Sequence, residues 1–167
     1  VNTDWVVSTA GSTAGELVKI KQIIQENIIR LKDLNLTPDQ YQHLDKIRQI
    51  KQGVFIIAGP KKSGVTTTLY ALLRNHDAFL SSIATLERHI SAEMPNITQN
   101  LFSLSDTGTT SYAKKLQVIL RREPDVIGVA DCEDPETAQV ASKAAKDGKL
   151  IYLTLDADNV IKALGKW

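Results

Sequence analysis

The sequence predicts an α/β domain, a mostly parallel sheet with helices on both faces. Three observations carry this. Apolar runs without polar alternation recur at Val54–Ala58, Ile83–Leu86, Val126–Ala130 and Leu150–Leu155, as expected of strands buried on both sides. Segments with helical spacing separate them, so strand and helix alternate from Val54 to Asp156. The first run leads into Gly59-Pro60-Lys61-Lys62-Ser63-Gly64-Val65-Thr66. That stretch fits a G-x-x-x-x-G-K-[ST] phosphate loop, except that Val65 takes the place of the lysine.

Taken in order, the small residues of Ser8–Gly15, "STAGSTAG", read as turn or loop. Glu16–Ile23 reads as an edge strand. Ile24, Ile28, Leu31 and Leu34 then fall at helical spacing. Thr37 with Pro38 starts a helix as N-cap and first residue, and that helix is expected to run to about Lys51 and stop at Gly53. Gly53–Gly59 reads as a buried strand, and helix resumes over "TTTLYALLRN". Ser81–Glu87 is a short buried strand. Tyr112, Leu116, Ile119 and Leu120 line one face of a helix ended by Pro124. Asp125–Asp131 is an apolar strand ending in acid. Asp134 caps the next helix, Pro135 opens it and Gly148 stops it, and Lys149–Asp156 is the last clear strand.

Composition narrows the function. A chain of 167 residues holds one compact domain, or one domain and a fragment of another. Hydrophobic residues at 43% and charged ones at 23% are ordinary for a soluble globular protein. The 20 basic and 19 acidic residues nearly cancel, which gives no long-range attraction to nucleic acid or acidic lipid. No apolar run approaches the roughly 20 residues of a membrane span, and the first residues have no signal-peptide character. Without an initiator methionine, the chain reads as an excised piece or a reduced protein. A single cysteine, Cys132, excludes an internal disulfide and a cysteine-built zinc site. His43, His76 and His89 show no ligand spacing.

A glycine-rich loop between strand and helix aims backbone N–H groups at an anion, and the helix dipole adds positive potential. The phosphate-binding candidates are Gly59, Lys61, Lys62, Ser63, Gly64, Val65, Thr66 and Thr67, with the Thr66 hydroxyl available to magnesium if the metal binds. Val65 cannot place an ammonium against the phosphates. Losing one charge-assisted contact costs about 1.5–3 kcal/mol, roughly tenfold to a hundredfold in affinity. Lys61 or Lys62 would have to supply the charge from another direction.

The segment Leu120–Ala145, "LRREPDVIGVADCEDPETAQVASKAA", closely resembles the L-R-x-D-P-D-x-x-x-x-G-E-x-R-D-x-E-T-A block of the type II secretion and type IV pilus assembly ATPases. "GVFIIAGPKKSGVTTTLYALL" resembles that family's phosphate-loop block. "VVSTAGSTAGELVKI" and "LKDLNLTP" resemble the end of its N-terminal domain and the linker that follows. The resemblance covers nearly the whole chain in order. It implies a RecA-like P-loop core over 36–167, without the family's C-terminal region, preceded by a remnant of the N-terminal domain and linker over 1–35.

The departures fall on the chemistry. Beside Val65, the family's T-I-E-D-P reads Thr85-Leu86-Glu87-Arg88-His89, which keeps Glu87 but puts Arg88 in place of the aspartate. The Walker B glutamate is Asp131, one methylene shorter, and the arginine two residues on is Glu133. Lys149 and Asp156 stand where the histidine motif has its histidines. The resemblance therefore implies a retained fold and an abandoned reaction: a cytoplasmic pseudo-ATPase that binds proteins, with secretion or pilus machinery as the partner. Glu87 and Asp131 are its degenerate catalytic positions. No nucleic acid, membrane insertion or obligatory cofactor is expected, and ATP and magnesium enter only if binding survives. The family's hexameric ring is bridged by nucleotide, so the altered contacts leave that assembly open. Two alternatives stand beside this reading. One is a weak ATPase using Lys61 or Lys62 for charge and Glu87 or Asp131 to orient water. The other is a sensor that binds ATP without turnover.

Overall fold

In the computed structural model, Leu150–Asp156 (β7) lies inside a five-stranded parallel sheet, between Gly53–Gly59 (β3) and Val126–Val129 (β6). Ile83–Glu87 (β4) follows β6, and Thr98–Leu101 (β5) closes the far edge. The structure describes residues 4–12, 15–23, 29–103, 106, 108 and 110–166.

Successive side chains of a strand point to opposite faces, and this sorts the core. Leu150 and Tyr152 of β7 pack on one face with Leu69, Leu72 and Leu73 of Val65–Leu73 (α2). Ile151, Leu153 and Leu155 pack on the other with Leu116 and Ile119 of Tyr112–Leu120 (α3) and Ala138, Ala141 and Ala145 of Pro135–Lys146 (α4). The sheet is thus covered on both faces, as the sequence predicts. Gly128 lets α2 approach β6: a Cβ there would sit 2.8 Å from Cδ1 of Leu73.

The caps follow their side chains. Before Pro38–Lys46 (α1), Thr37 Oγ1 accepts from the Gln40 amide at 3.3 Å while Gln40 Oε1 accepts from the Thr37 amide at 3.0 Å. Before α4, Asp134 Oδ1 accepts from the Thr137 amide at 2.8 Å, and Gly148 follows the helix at φ 95°.

Several expectations change. Ser8–Ser12 is strand, not loop: Asp4–Ser12 (β1) pairs antiparallel with Gly15–Ile23 (β2) in a separate two-stranded sheet. Cross-strand pairing overrides the turn preference of small residues there. Of the helix expected through Ile24, Ile28, Leu31 and Leu34, the first two positions lie outside the described residues. The rest is only a 3-10 turn over Leu31–Asp33. Helix α1 ends at Lys46, and a second 3-10 turn, Ile47–Gln49, replaces its expected last turn. Strand β3 is half-buried, with Ala58 exposed, because it lies at a sheet edge and, among the described residues, pairs only with β7. Strand β5 and the helix Val160–Lys166 (α5) have no counterpart in the sequence reading. Among the described residues no helix is long and apolar enough to cross a membrane.

Candidate functional site

Parallel strands all end on the same side of their sheet, and their C-terminal ends are where α/β folds build sites. Here β3 delivers the loop Gly59–Gly64, β7 delivers Leu155 and Asp156, the segment after β6 delivers Asp131 and Glu133, and the residue after β4 is Arg88. All of these but Ser63, with Val65, Thr66, Thr67 and Thr154, line one cleft of about 510 Å³.

The loop keeps its turn geometry. The Ser63 amide donates to the Pro60 carbonyl at 3.1 Å, Lys62 has φ 68°, and Gly64 has φ 92° as N-cap of α2. A left-handed N-cap suits glycine, which has no Cβ to clash. The Thr68 amide donates back to Gly64 at 2.8 Å, so the helix starts cleanly on the loop. Lys61 and Lys62 are exposed and line the cleft. Val65 is the first residue of α2, and its Cγ2 lies 3.0 Å from where a Cβ on Gly59 would sit. Its side chain thus turns inward toward the loop, and a methyl stands near the Gly59 backbone.

Asp131 is exposed in the cleft at φ 50°, with its amide donating to Thr154 Oγ1 at 2.8 Å. Thr66 and Asp131 line the same cleft, and their oxygens are the hard donors that magnesium prefers. Oxygens of this kind would suit a metal beside a phosphate, whereas Val65 offers no group for the phosphate contact.

Glu87 sits elsewhere. It is fully buried and absent from the cleft lining. The Tyr70 hydroxyl donates to its Oε2. Thr85 Oγ1 and Gln99 Nε2 donate to its Oε1 at 2.5 and 3.2 Å. Burial first, and then the hydrogen bond to Glu87, push the Tyr70 phenol well above its usual ionisation range. The carboxylate ties α2, β4 and β5 together.

Arg88 leaves the end of β4 and lies over aromatic rings. Its guanidinium carbon is 4.4 Å from the Tyr112 ring centroid and 5.7 Å from that of Phe102. The Tyr112 hydroxyl is shared between the carbonyl oxygens of Leu86 (2.8 Å) and Ala130 (2.6 Å), and burial raises its ionisation far above the ordinary phenol range. Cys132, next to Asp131, is buried, and its thiol is pushed up to about 11, chiefly by burial.

The structure therefore gathers Gly59, Lys61, Lys62, Gly64, Val65, Thr66, Thr67 and Asp131 at one cleft and holds Glu87 apart from it. Ser63 belongs to the same loop without lining the cleft. Of the two altered histidine positions, Asp156 lines the cleft, while Lys149 precedes the opposite end of β7. The sequence reading missed Tyr112 as a support for Arg88 and Thr154 as the partner of Asp131. Tyr112 looks like any apolar-face residue, and Thr154 like any strand threonine.

The parallel sheet, the loop at the end of β3 and the helix that starts on it define a RecA-like P-loop domain. The fold resembles that of the ATPase DotB of Legionella pneumophila with a TM-score of 0.73 and 21% identity, covering 97% of this chain and 45% of that one. The chain belongs to the family described as Type II/IV secretion system protein, whose profile matches residues 2–166. It is similar to the type II secretion system protein HxcR of Pseudomonas aeruginosa, 34% identical over 162 residues, or 96% of this chain and 34% of that protein. It is also similar to the type IV pilus assembly ATPase PilB of Thermus thermophilus, 27% identical over 165 residues, or 98% of this chain and 18% of PilB. The chain thus spans a minority of the length of these curated relatives.

Proposed function

We propose that this chain is a non-hydrolysing member of its family, a pseudo-ATPase that works in the cytoplasm by binding proteins of secretion or pilus machinery. The observation that carries this is Val65. It opens α2 where the loop pattern has lysine, and its methyl stands near Gly59 instead of an ammonium. Phosphoryl transfer depends on positioning and on charge stabilisation of the transferred group, and the loop has lost a principal cation. The burial of Glu87 supports the same reading, because three donors occupy a carboxylate that would otherwise be available to water. Of the two degenerate catalytic acids, Asp131 is the one that lines the cleft, and it is one methylene shorter than glutamate.

The nucleotide-sensor reading is favoured by one separate observation. The loop turn and the cations Lys61, Lys62 and Arg88 remain at the cleft. Phosphate release from Mg-ATP by the purified chain tests the main proposal. We expect no turnover above background, and turnover that vanishes in Asp131→Asn would overturn it.

A further inference from the structure

An exposed arginine at a strand end ordinarily samples many rotamers. Arg88 is held. Its guanidinium carbon lies over the Tyr112 ring, 4.4 Å from the centroid, and Phe102 meets Tyr112 edge-on at 5.2 Å and 82°. Tyr112 is itself fixed by the carbonyls at the ends of β4 and β6. Stacking occupies the face of a guanidinium and leaves its edge, with the N–H donors, directed outward. None of the ion pairs among the described residues involves Arg88.

Arg88 lines the loop cleft. Helix α2 packs across β3, β7 and β6, with Val65 of its first turn against Gly59 of β3 and Leu69 and Leu73 over Gly128 of β6. Strand β4 is the next beyond β6, and neighbouring strands lie about 4.8 Å apart. Arg88, a long side chain at the end of β4, nonetheless lines the same cleft as Gly64, Val65 and Thr66, where an anion on the loop would sit. The other charges lining the cleft are Lys61 and Lys62 on the loop, and Asp131, Glu133 and Asp156 beside it. Acids and bases balance there, so a pre-oriented cation decides what binds.

We infer that Arg88 is the phosphate-contacting cation of this cleft, supplying from β4 the charge that Val65 does not supply from α2, and that the ligand is the phosphate end of a nucleoside polyphosphate or a free pyrophosphate. The inference rests on reading the cleft as a phosphate site, and it is independent of whether the bound phosphate is hydrolysed. A planar guanidinium can hold two phosphate oxygens at once, which a lysine on the helix would not do.

Calorimetric titration with Mg-ATP and, separately, with magnesium pyrophosphate tests it on the wild-type chain, Arg88→Gln and the double variant Val65→Lys/Arg88→Gln. We expect wild-type binding and at least a tenfold loss in Arg88→Gln with an unchanged melting temperature. Recovery in the double variant is also expected, because a charge restored on α2 replaces the one removed from β4. Tighter binding of ATP than of pyrophosphate would assign the nucleotide as source, equal binding the free anion, and both uphold the role of Arg88. Wild-type affinity in Arg88→Gln, or no binding of either compound by the wild-type chain, would overturn it. ATP turnover would sink the pseudo-ATPase proposal and leave the assignment of Arg88 to the affinities.

Discussion

Removing the Glu87 carboxylate would strand the buried hydroxyls of Tyr70 and Thr85, while the Gln99 amide keeps its bond to the Ala92 carbonyl. Each buried unsatisfied group costs about 1–3 kcal/mol, so Glu87→Ala is expected to destabilise the fold by at least about 2 kcal/mol. Glu87→Gln keeps an acceptor and should cost less. Urea unfolding checks both, and equal midpoints for wild type and Glu87→Ala would contradict the structural role. His76 gives a pH dependence. Its Nε2 lies 2.8 Å from the Tyr152 hydroxyl, and burial, then the charge of Arg48, lowers its pKa below the ordinary 6.5. The fold therefore favours the neutral ring. Its contribution is complete above the unfolded value and is lost as pH falls through the depressed folded one. The melting temperature should drop below about pH 6.5, and less so in His76→Gln; identical slopes would refute the assignment. The letters show Glu87 at a motif position, yet nothing local in them says that Tyr70 and Gln99 converge on it, because those contacts bridge 17 and 12 residues.

Helix α2 reaches the sheet because Gly128 offers no side chain. A Cβ there would meet Leu73 Cδ1 at 2.8 Å and Thr85 Cγ2 at 3.3 Å, and Leu69 and Leu73 are fully buried, with little room to turn. Gly128→Val should therefore destabilise by about 1–3 kcal/mol through overpacking. It should also weaken whatever phosphate affinity the loop has, since α2 carries that loop. A chemical melt together with an anion titration reads both effects, and a variant as stable as wild type would show that the helix has space to move. At this scale the sequence was most legible where a signal is local. Thr37 with Pro38, Asp134 with Pro135, and Gly148 mark their helix ends correctly. Legibility failed where pairing decides. Ser8–Ser12 becomes strand only opposite Gly15–Lys19, and β5, polar over Thr98-Gln99-Asn100, is a strand because β4 offers it an edge. The loop cleft was legible as a motif, but the pedestal under Arg88 was not, because Phe102, Tyr112 and Ala130 come together only in the fold.

Across the whole chain the two sheets differ in how much holds them. The interior strands β4, β6 and β7 are paired on both sides and covered by helices on both faces. The β1–β2 sheet has two strands, with Val7, Val18 and Ile20 exposed, and an isolated two-stranded sheet is marginal in water. Native-state hydrogen exchange should therefore rank the amides of β6 and β7 slowest and those of β1 and β2 among the fastest. Hairpin amides as slow as those of β7 would mean that the two sheets unfold as one unit. The outer edge of β3 has a further consequence, for handling the protein. Its backbone groups on that side pair with no other strand of the described residues, and its run Val54-Phe55-Ile56-Ile57-Ala58 contains neither charge nor proline. Charges and prolines are the usual guards against edge-to-edge joining. In concentrated solution this strand is the place where one molecule would template the next, and a lysine at the exposed Ala58 position is the smallest change that would keep the chains apart.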